Sequence, residues 1–351
     1  MANIIYSSMV AKNEPMFGKF VHPIKALITE ESNQWEKDKS ELKDLYNVEK
    51  SNRYAETIMG QSDFSTFMAK GEGQGAENDS IEKTYDKTIE HIEFAKEFTI
   101  TKKMADDAKM GIGLNATAKV KHFVRAYHMT QNEMASLALA NATKPSMVYN
   151  KATVDLTTGD GHPLFYKAHP YTNDKVKGKL KPQSNFFELT NYSANAEYLQ
   201  KAMHTLAVTM RNFKDENGTN LGYIADTIII PGNRAALESA AKIVCGTERA
   251  AGSNNNDINT QYGNWRLVVL KNWSTDDDRF MIMSSDANES LMGNMFFNRT
   301  PLDVRSGIDD HTRNMYWNGY CRFGLGFGTW KHILLAVTNE TAGADAEDLE
   351  V

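Results

Sequence analysis

Apolar and polar residues alternate from Ile92 to Ile100, with Ile92, Phe94, Phe98 and Ile100 on one face and Glu93, Glu97 and Thr99 on the other. That period of two predicts a half-buried strand, and Ile81 to Lys87 is read as its hairpin partner. From Ala116 to Ala140 the period lengthens. Val120, Phe123, Val124, Tyr127, Met134, Leu137 and Ala138 form one stripe that Gln131 interrupts, predicting a long amphipathic helix ended by Lys144-Pro145. Leu199, Met203, Leu206, Met210 and Phe213 recur at helical spacing, with Asn217-Gly218 as the stop. Thr227 to Ile230 reads as a short buried strand closed by Pro231-Gly232. After it, Asn233 is placed to cap an alanine-rich helix through Leu237, Ala240, Ala241 and Val244. Trp265 to Leu270 and Phe280 to Met283 are strands around the acidic turn Asp276 to Asp278. Near the end, Tyr316, Asn318, Tyr320 and Arg322 alternate with Trp317, Cys321 and Phe323, and Ile333 to Val337 is a buried strand. Strands and helices mixed in this way predict an α+β fold.

Between these elements the pattern weakens. In Glu30 to Lys50 the only large apolar groups are Trp35, Leu42, Leu45 and Tyr46, too few to pack alone. Two readings stand: a short amphipathic helix that docks elsewhere, or a solvated terminal arm. Phe64 and Phe67 lead into a polar glycine-rich stretch, Lys70 to Asp79. An isolated two-stranded arm buries too little apolar surface to offset its ordering entropy, so it must lie on a neighbour. That neighbour is either another copy of the chain or the chain's own domain. On the first reading Phe64, Phe67, Ile92, Phe94, Phe98, Trp35 and Leu42 are the candidates for contacts between copies. Thr101 is a suitable helix cap, followed by Asp106 and Asp107. After Thr338 the chain is acidic and small, and 341–351 is read as a flexible tail.

With 351 residues, 41% of them hydrophobic, the chain can bury one large core or two modest ones. No apolar run approaches the roughly 18 to 20 residues that cross a bilayer, and Met1 to Val10 lacks the build of a secretory signal, so no membrane partner is expected. The net charge of -6, with both signs mixed along the chain, argues against a protein that grips nucleic acid through a basic stripe. Cys245 and Cys321 stand far apart and are read as reduced, buried thiols.

Candidate chemistry is thin. Asp160, His162 and His169 could hold a metal or supply a general base, but Pro163 and Pro170 beside the histidines make turn geometry the simpler account. The triple aspartate lacks the spaced ligands of an EF-hand. Two glycine runs, Gly71 to Gly75 and Gly324 to Gly328, lack the strand-to-helix setting of a phosphate cradle, and in the second the glycines mark a bend or close packing. No cofactor is expected, and no nucleophile elbow, Walker loop or zinc-protease motif occurs.

The turn Gly159-Asp160-Gly161-His162-Pro163-Leu164-Phe165, its closing His169-Pro170 and the later Thr227-Ile228-Ile229-Ile230-Pro231 resemble the major head subunits of Mu-like tailed phages. The likeness is clearest from Asp160 to Ile258 and weaker in the glycine-rich loop and from Ile100 to Asp107. It implies the Hong Kong 97-type capsid fold: an N-terminal arm over 1–55, an extended β-hairpin loop over 56–100, and a peripheral domain with a long spine helix over 101–190. An axial α/β domain over 191–295 and a return to the peripheral domain over 296–340 would complete it. The function implied is that of a major capsid protein in the virion, assembled in the bacterial cytoplasm, with no enzymatic turnover. Its partners would be copies of itself in pentamers and hexamers, scaffold and portal proteins, and packaged double-stranded DNA held without sequence-specific contacts. An encapsulin-type compartment shares the fold, and a metal-dependent enzyme using Asp160, His162 and His169 is the contrasting class. Some capsids of this fold join subunits by a Lys to Asn bond, and Lys70 or Lys83 lies in that region; without a visible desolvating environment, no cross-link is expected.

Overall fold

The computed structural model describes residues 5–9, 26–35, 42–61, 67–75, 83–104, 116–171, 178–190, 192, 193, 195–249, 258–338 and 347–350. In chain order the strands are β1 (Ile5–Met9), β2 (Asn47–Lys50), β3 (Ala55–Gln61), β4 (Lys83–Glu90), β5 (Ile92–Ile100), β6 (Ser146–Tyr149), β7 (Ala152–Asp155), β8 (Phe186–Thr190), β9 (Thr227–Pro231) and β10 (Arg266–Leu270). They continue with β11 (Arg279–Met283), β12 (Asn294–Ile308), β13 (Met315–Phe327), β14 (Ile333–Val337) and β15 (Glu347–Glu350). The helices are α1 (26–35), α2 (Leu42–Leu45), α3 (Ala116–Ala140), α4 (Ala196–Arg211), α5 (Ala235–Gly246) and α6 (Ser285–Ser290). The α+β class is as the pattern predicted. The chain divides into two interleaved units, one of residues 1–56, 90–135 and 296–325, the other of 57–89, 136–295 and 326–351.

In the first unit, β1, β12, β13 and β5 lie side by side in that order, with β2 also on β12. β5 runs antiparallel to β13, setting Phe94 opposite Cys321, Phe98 opposite Trp317 and Ile100 opposite Met315. This corrects the hairpin read from the sequence, because β4 pairs with β3 instead. Only His91 separates β4 from β5, and Ile89-Glu90-His91-Ile92 offers no turn residue to reverse the chain. One face of the sheet packs on α3, where Val120, Phe123 and Val124 join Ile100, Leu302, Val304, Met315 and Trp317 in a buried cluster. The arm docks rather than being solvated at 42–46. Leu42, Leu45 and Tyr46 are buried, and the Tyr46 hydroxyl donates to the Ala135 carbonyl at 2.8 Å. Gln131, read as an interruption of the α3 stripe, is itself buried and donates to the Tyr127 hydroxyl at 3.2 Å. Thr101 caps as expected, its hydroxyl accepting from the Met104 N–H at 3.2 Å, while Asp106 and Asp107 lie outside the described residues.

Close packing explains the second glycine run. A Cβ on Gly324 would stand 2.5 Å from the Glu90 carbonyl oxygen and 3.0 Å from His91 Nδ1. Backbone cannot yield as a side-chain tip can, so Gly324→Ala is expected to cost about 1 to 3 kcal/mol, read as a lower midpoint in urea. An unchanged midpoint would show that the strand pair has slack there.

The second unit is built on a six-stranded sheet in the order β10, β9, β11, β14, β8, β15. β9 and β10 are parallel, β11 is antiparallel to both β9 and β14, and β8 is parallel to β14. β9 and β14 are buried at every position, which is why each reads as an unbroken apolar run. α4 buries Leu199, Ala202, Met203, Leu206 and Met210, and α5 buries Leu237, Ala240, Ala241 and Val244.

Three boundaries differ from the sequence reading. α4 ends at Arg211 with Asn212 as its cap; Asn217-Gly218 shapes a later turn, where the Asp215 carboxylate accepts from the N–H groups of Asn217 and Thr219. α5 is preceded by Arg234 without a side-chain cap, because the Asn233 amide is engaged with Thr275 at both ends. Residues 347–350, placed in a flexible tail, form β15 alongside β8. Among the described residues no helix is long and apolar enough to cross a membrane.

Candidate functional site

The turn after β7 folds around one carboxylate. Asp160 Oδ1 accepts from the Thr158 hydroxyl at 2.5 Å and the His162 N–H at 3.1 Å, while Oδ2 meets His169 Nδ1 at 2.6 Å. The far side of His169 faces Asn185 Oδ1 at 3.2 Å. Asn185 Oδ1 is fixed as an acceptor, since it takes the Tyr166 N–H at 2.9 Å while its amide nitrogen donates to the Leu164 carbonyl at 2.7 Å. Both nitrogens of His169 therefore point at oxygen atoms that fix the orientation of the ring. Trp330 stacks on that ring at 4.4 Å, and Tyr166 meets its edge at 5.6 Å. Burial pushes the Asp160 carboxyl up, but hydrogen bonds from His169, Thr158 and the His162 backbone, with the charge of His169, hold it below the ordinary carboxylate value.

The structure thus joins two of the three candidate ligands and leaves the third aside. The His162 ring stacks on Tyr166 at 4.4 Å instead of turning inward. The Asp160 and His169 side chains are 6% and 0% exposed, so neither substrate nor solvent reaches them. Among the described residues no group of three histidine, cysteine or acidic side chains is placed to hold a metal. The acidic turn is likewise engaged rather than solvated: Asp278 pairs with Arg234 at 2.6 Å and Asp277 with Arg279 at 2.6 Å. Burial pushes the Cys245 thiol up to about 11 and the Cys321 thiol to about 12, so neither is a ready nucleophile.

Most residues proposed for contacts between copies have intramolecular cover. Phe98 stacks on Trp317 at 5.1 Å and packs on Phe123 at 5.1 Å, Phe94 stacks on Phe323 at 4.8 Å, and Ile92 lies in register with Phe323. Trp35 stacks on His128 at 5.8 Å, and Leu42 is buried. On β5 the aromatic residues of β13, more than two hundred positions away in sequence, flank Ile92, Phe94 and Phe98, each of which stays half-buried. Phe64 lies outside the described residues. Phe67 is the exception. It is fully exposed, beside Met68 at 72%, in the connection between β3 and β4.

Those two strands form a separate two-stranded ribbon with a firm root. Ile58, Lys87 and Ile89 are buried, and Lys87 donates to Asp155 at 2.5 Å and to the Thr157 hydroxyl at 2.7 Å. Tyr85 of β4 lies over Gly60 and Gly159, at each of which a Cβ would collide with its ring. This accounts for the first glycine of the Gly159-Asp160-Gly161 turn. Gly161 has φ of +83°, a conformation that glycine adopts without penalty. Beside the root is a cavity of about 370 Å³ with Met59, Tyr85, Leu221, Leu291 and Met292 among its lining. Asp215, Glu216 and Lys331 also line it, and Lys331 pairs with Glu216 at 2.8 Å. No periodicity in the sequence marks these residues, which come from five separated segments.

No family model and no curated protein matches the chain. Among solved structures, it is similar to the capsid of Myoviridae phage XM1, at 12% identity over 83% of this chain and 90% of that one, with a TM-score of 0.47. It is also similar to the capsid of cyanophage P-SCSP1u, at 11% identity over 84% and 86%, with a TM-score of 0.48. A third similarity is to a virus-like particle from Pyrococcus furiosus, at 10% identity over 90% and 98%, with a TM-score of 0.48.

Proposed function

We propose that this chain is a major capsid protein of the Hong Kong 97 type, whose copies form pentamers and hexamers that close into an icosahedral phage head around double-stranded DNA. One observation carries this reading: the β3–β4 ribbon is anchored at its root yet presents Phe67, fully exposed, beyond the end of its paired strands. A large aromatic side chain left in water at an extended tip forgoes about 1.5 to 3 kcal/mol that another molecule can supply by covering it. The sealed Asp160–His169 turn agrees, since the residues that carry the sequence resemblance act as internal framework and not as reaction chemistry. In this assignment the ribbon is the extended loop, α3 the spine helix, and the β9–β11 region with α4 and α5 the axial domain. Scaffold and portal proteins are its further partners.

The formal charge of -6 suits a container wall that leaves packaged DNA free to move, because few phosphates would be neutralised at its surface. No weld between subunits is expected: in the single chain Lys70 is exposed, and Lys83 is paired with Asp86 at 56% side-chain exposure, without the desolvated setting that a nucleophilic amine requires. The test is negative-stain microscopy and sedimentation of the purified full-length protein, alone and with its phage's scaffold. Closed shells or rings of five and six are expected. A protein that stays monomeric in every condition, including at high concentration with scaffold present, would remove the reading.

A further inference from the structure

We infer that Arg299 and Arg322, on adjacent strands of the first unit, form a binding site for a small free oxyanion of the phosphate class. Arg299 lies on β12 and Arg322 on β13, side by side in one sheet. Both guanidinium charges act on the buried His91 ring and oppose its protonation, which sets two like charges around one point. Their Nε atoms are buried, and neither has a hydrogen-bond partner among the described residues. A buried guanidinium nitrogen without an acceptor has given up hydration that nothing returns, so an acceptor from outside the chain gains by supplying it.

The carboxylates nearby do not neutralise the pair. Glu93 comes only within 3.8 Å of Arg322 Nε, and its side chain is 60% exposed against 19% for Arg322. Glu56 is engaged by the Ser51 hydroxyl at 2.7 Å, and that hydroxyl also meets His91 Nε2 at 2.9 Å. The Tyr54 ring lies 5.4 Å from the Arg322 guanidinium and steadies it. The number of acceptors decides the ligand class. Two planar forks on neighbouring strands present more N–H groups than the two oxygens of a carboxylate can fill, whereas a tetrahedral phosphate offers an edge to each fork.

The experiment titrates the full-length protein with inorganic phosphate at pH 7, with sodium chloride holding the ionic strength constant. The thermal midpoint and the phosphorus NMR line width of the ligand are followed together. A saturable response is expected, with the midpoint raised by about 3 to 6 °C at roughly tenfold the half-saturating concentration. Arg299→Gln and Arg322→Gln should each move half-saturation upward by about tenfold or more, while Arg125→Gln, at an exposed position of α3, should leave it in place. Arg299→Lys keeps the charge without the planar fork and should fall between, so the test survives a glutamine variant that does not fold. A midpoint that climbs without saturating, at the same slope in the glutamine variants, is the general exclusion of phosphate from protein surfaces and overturns the site. Equal weakening by Arg125→Gln overturns it too. So does a response to duplex DNA at matched phosphate concentration with none to inorganic phosphate, which would assign the pair to nucleic-acid backbone. Binding by single chains is enough for every arm, so failure here leaves the capsid reading standing.

Discussion

Asp160→Ala is expected to destabilise the second unit by about 3 to 5 kcal/mol, the cost of removing a carboxylate that satisfies three neighbouring groups in a largely buried turn. The carboxylate closes three contacts at once, and its removal leaves His169, 1% exposed and walled by Trp330 and Tyr166, with one ring nitrogen facing nothing. At roughly 2 to 4 °C for each kcal/mol in a body of this size, the thermal midpoint should fall by about 10 °C. Asp160→Asn keeps the shape and one acceptor, so it should lose less. Because the folded carboxyl titrates below its ordinary value, its contribution is present above that value and disappears as pH falls through the folded one. The wild-type and mutant melting points should therefore approach each other in strong acid. Chelators should leave the wild-type midpoint where it is, since hydrogen-bond donors already occupy both carboxylate oxygens. A midpoint that falls with EDTA, or an Asp160→Ala protein as stable as wild type, would overturn the framework role and revive the metal reading.

Elements whose packing partner repeats along their own length were legible in the sequence. The α3 stripe gives the helix from Ala116 to Ala140, and the face named on α5 is the buried one. The alternation at Ile92 to Ile100 marks β5 correctly but says nothing of what lies opposite. Its cover, β13, comes from the far end of the chain, and strand pairing over such a separation leaves no local trace. A similar limit hid β15, because Glu347-Asp348-Leu349-Glu350 has a composition that disfavours strands and pairs only at a sheet edge. At the Asp160 turn the sequence shows proline-flanked histidines, from which a structural role follows, yet Asn185 and Trp330 are supplied by distant segments. The cavity beside Tyr85 was invisible for the same reason. Glycines were the one long-range signal: Gly60 and Gly159 are small because a ring from β4 occupies their space.

Lowering the pH from 7 to 5 should weaken both units, before most carboxylates have taken up a proton. His128 in the first unit is buried with Nε2 2.7 Å from the Ser32 hydroxyl and its ring stacked on Trp35. His332 in the second is fully buried, with Nε2 donating to Asn294 Oδ1 at 2.8 Å. Burial lowers the first to about 4 and the second to about 3, and His91 moves the same way through burial and the nearby Arg322 charge. In the unfolded chain each histidine takes up a proton near pH 6.5, while in the folded chain it stays neutral until far lower pH. Stability is therefore complete above about 6.5, declines by roughly 1.4 kcal/mol per pH unit for each such group, and levels off only below its folded value. At pH 5 the two deeply buried rings together remove about 4 kcal/mol. Urea midpoints measured at pH 7 and pH 5 should show that loss. His128→Gln and His332→Gln, each less stable at pH 7, should each flatten the pH dependence in its own unit. Midpoints that do not move between pH 7 and pH 5 would mean that these rings can be protonated without leaving the folded state.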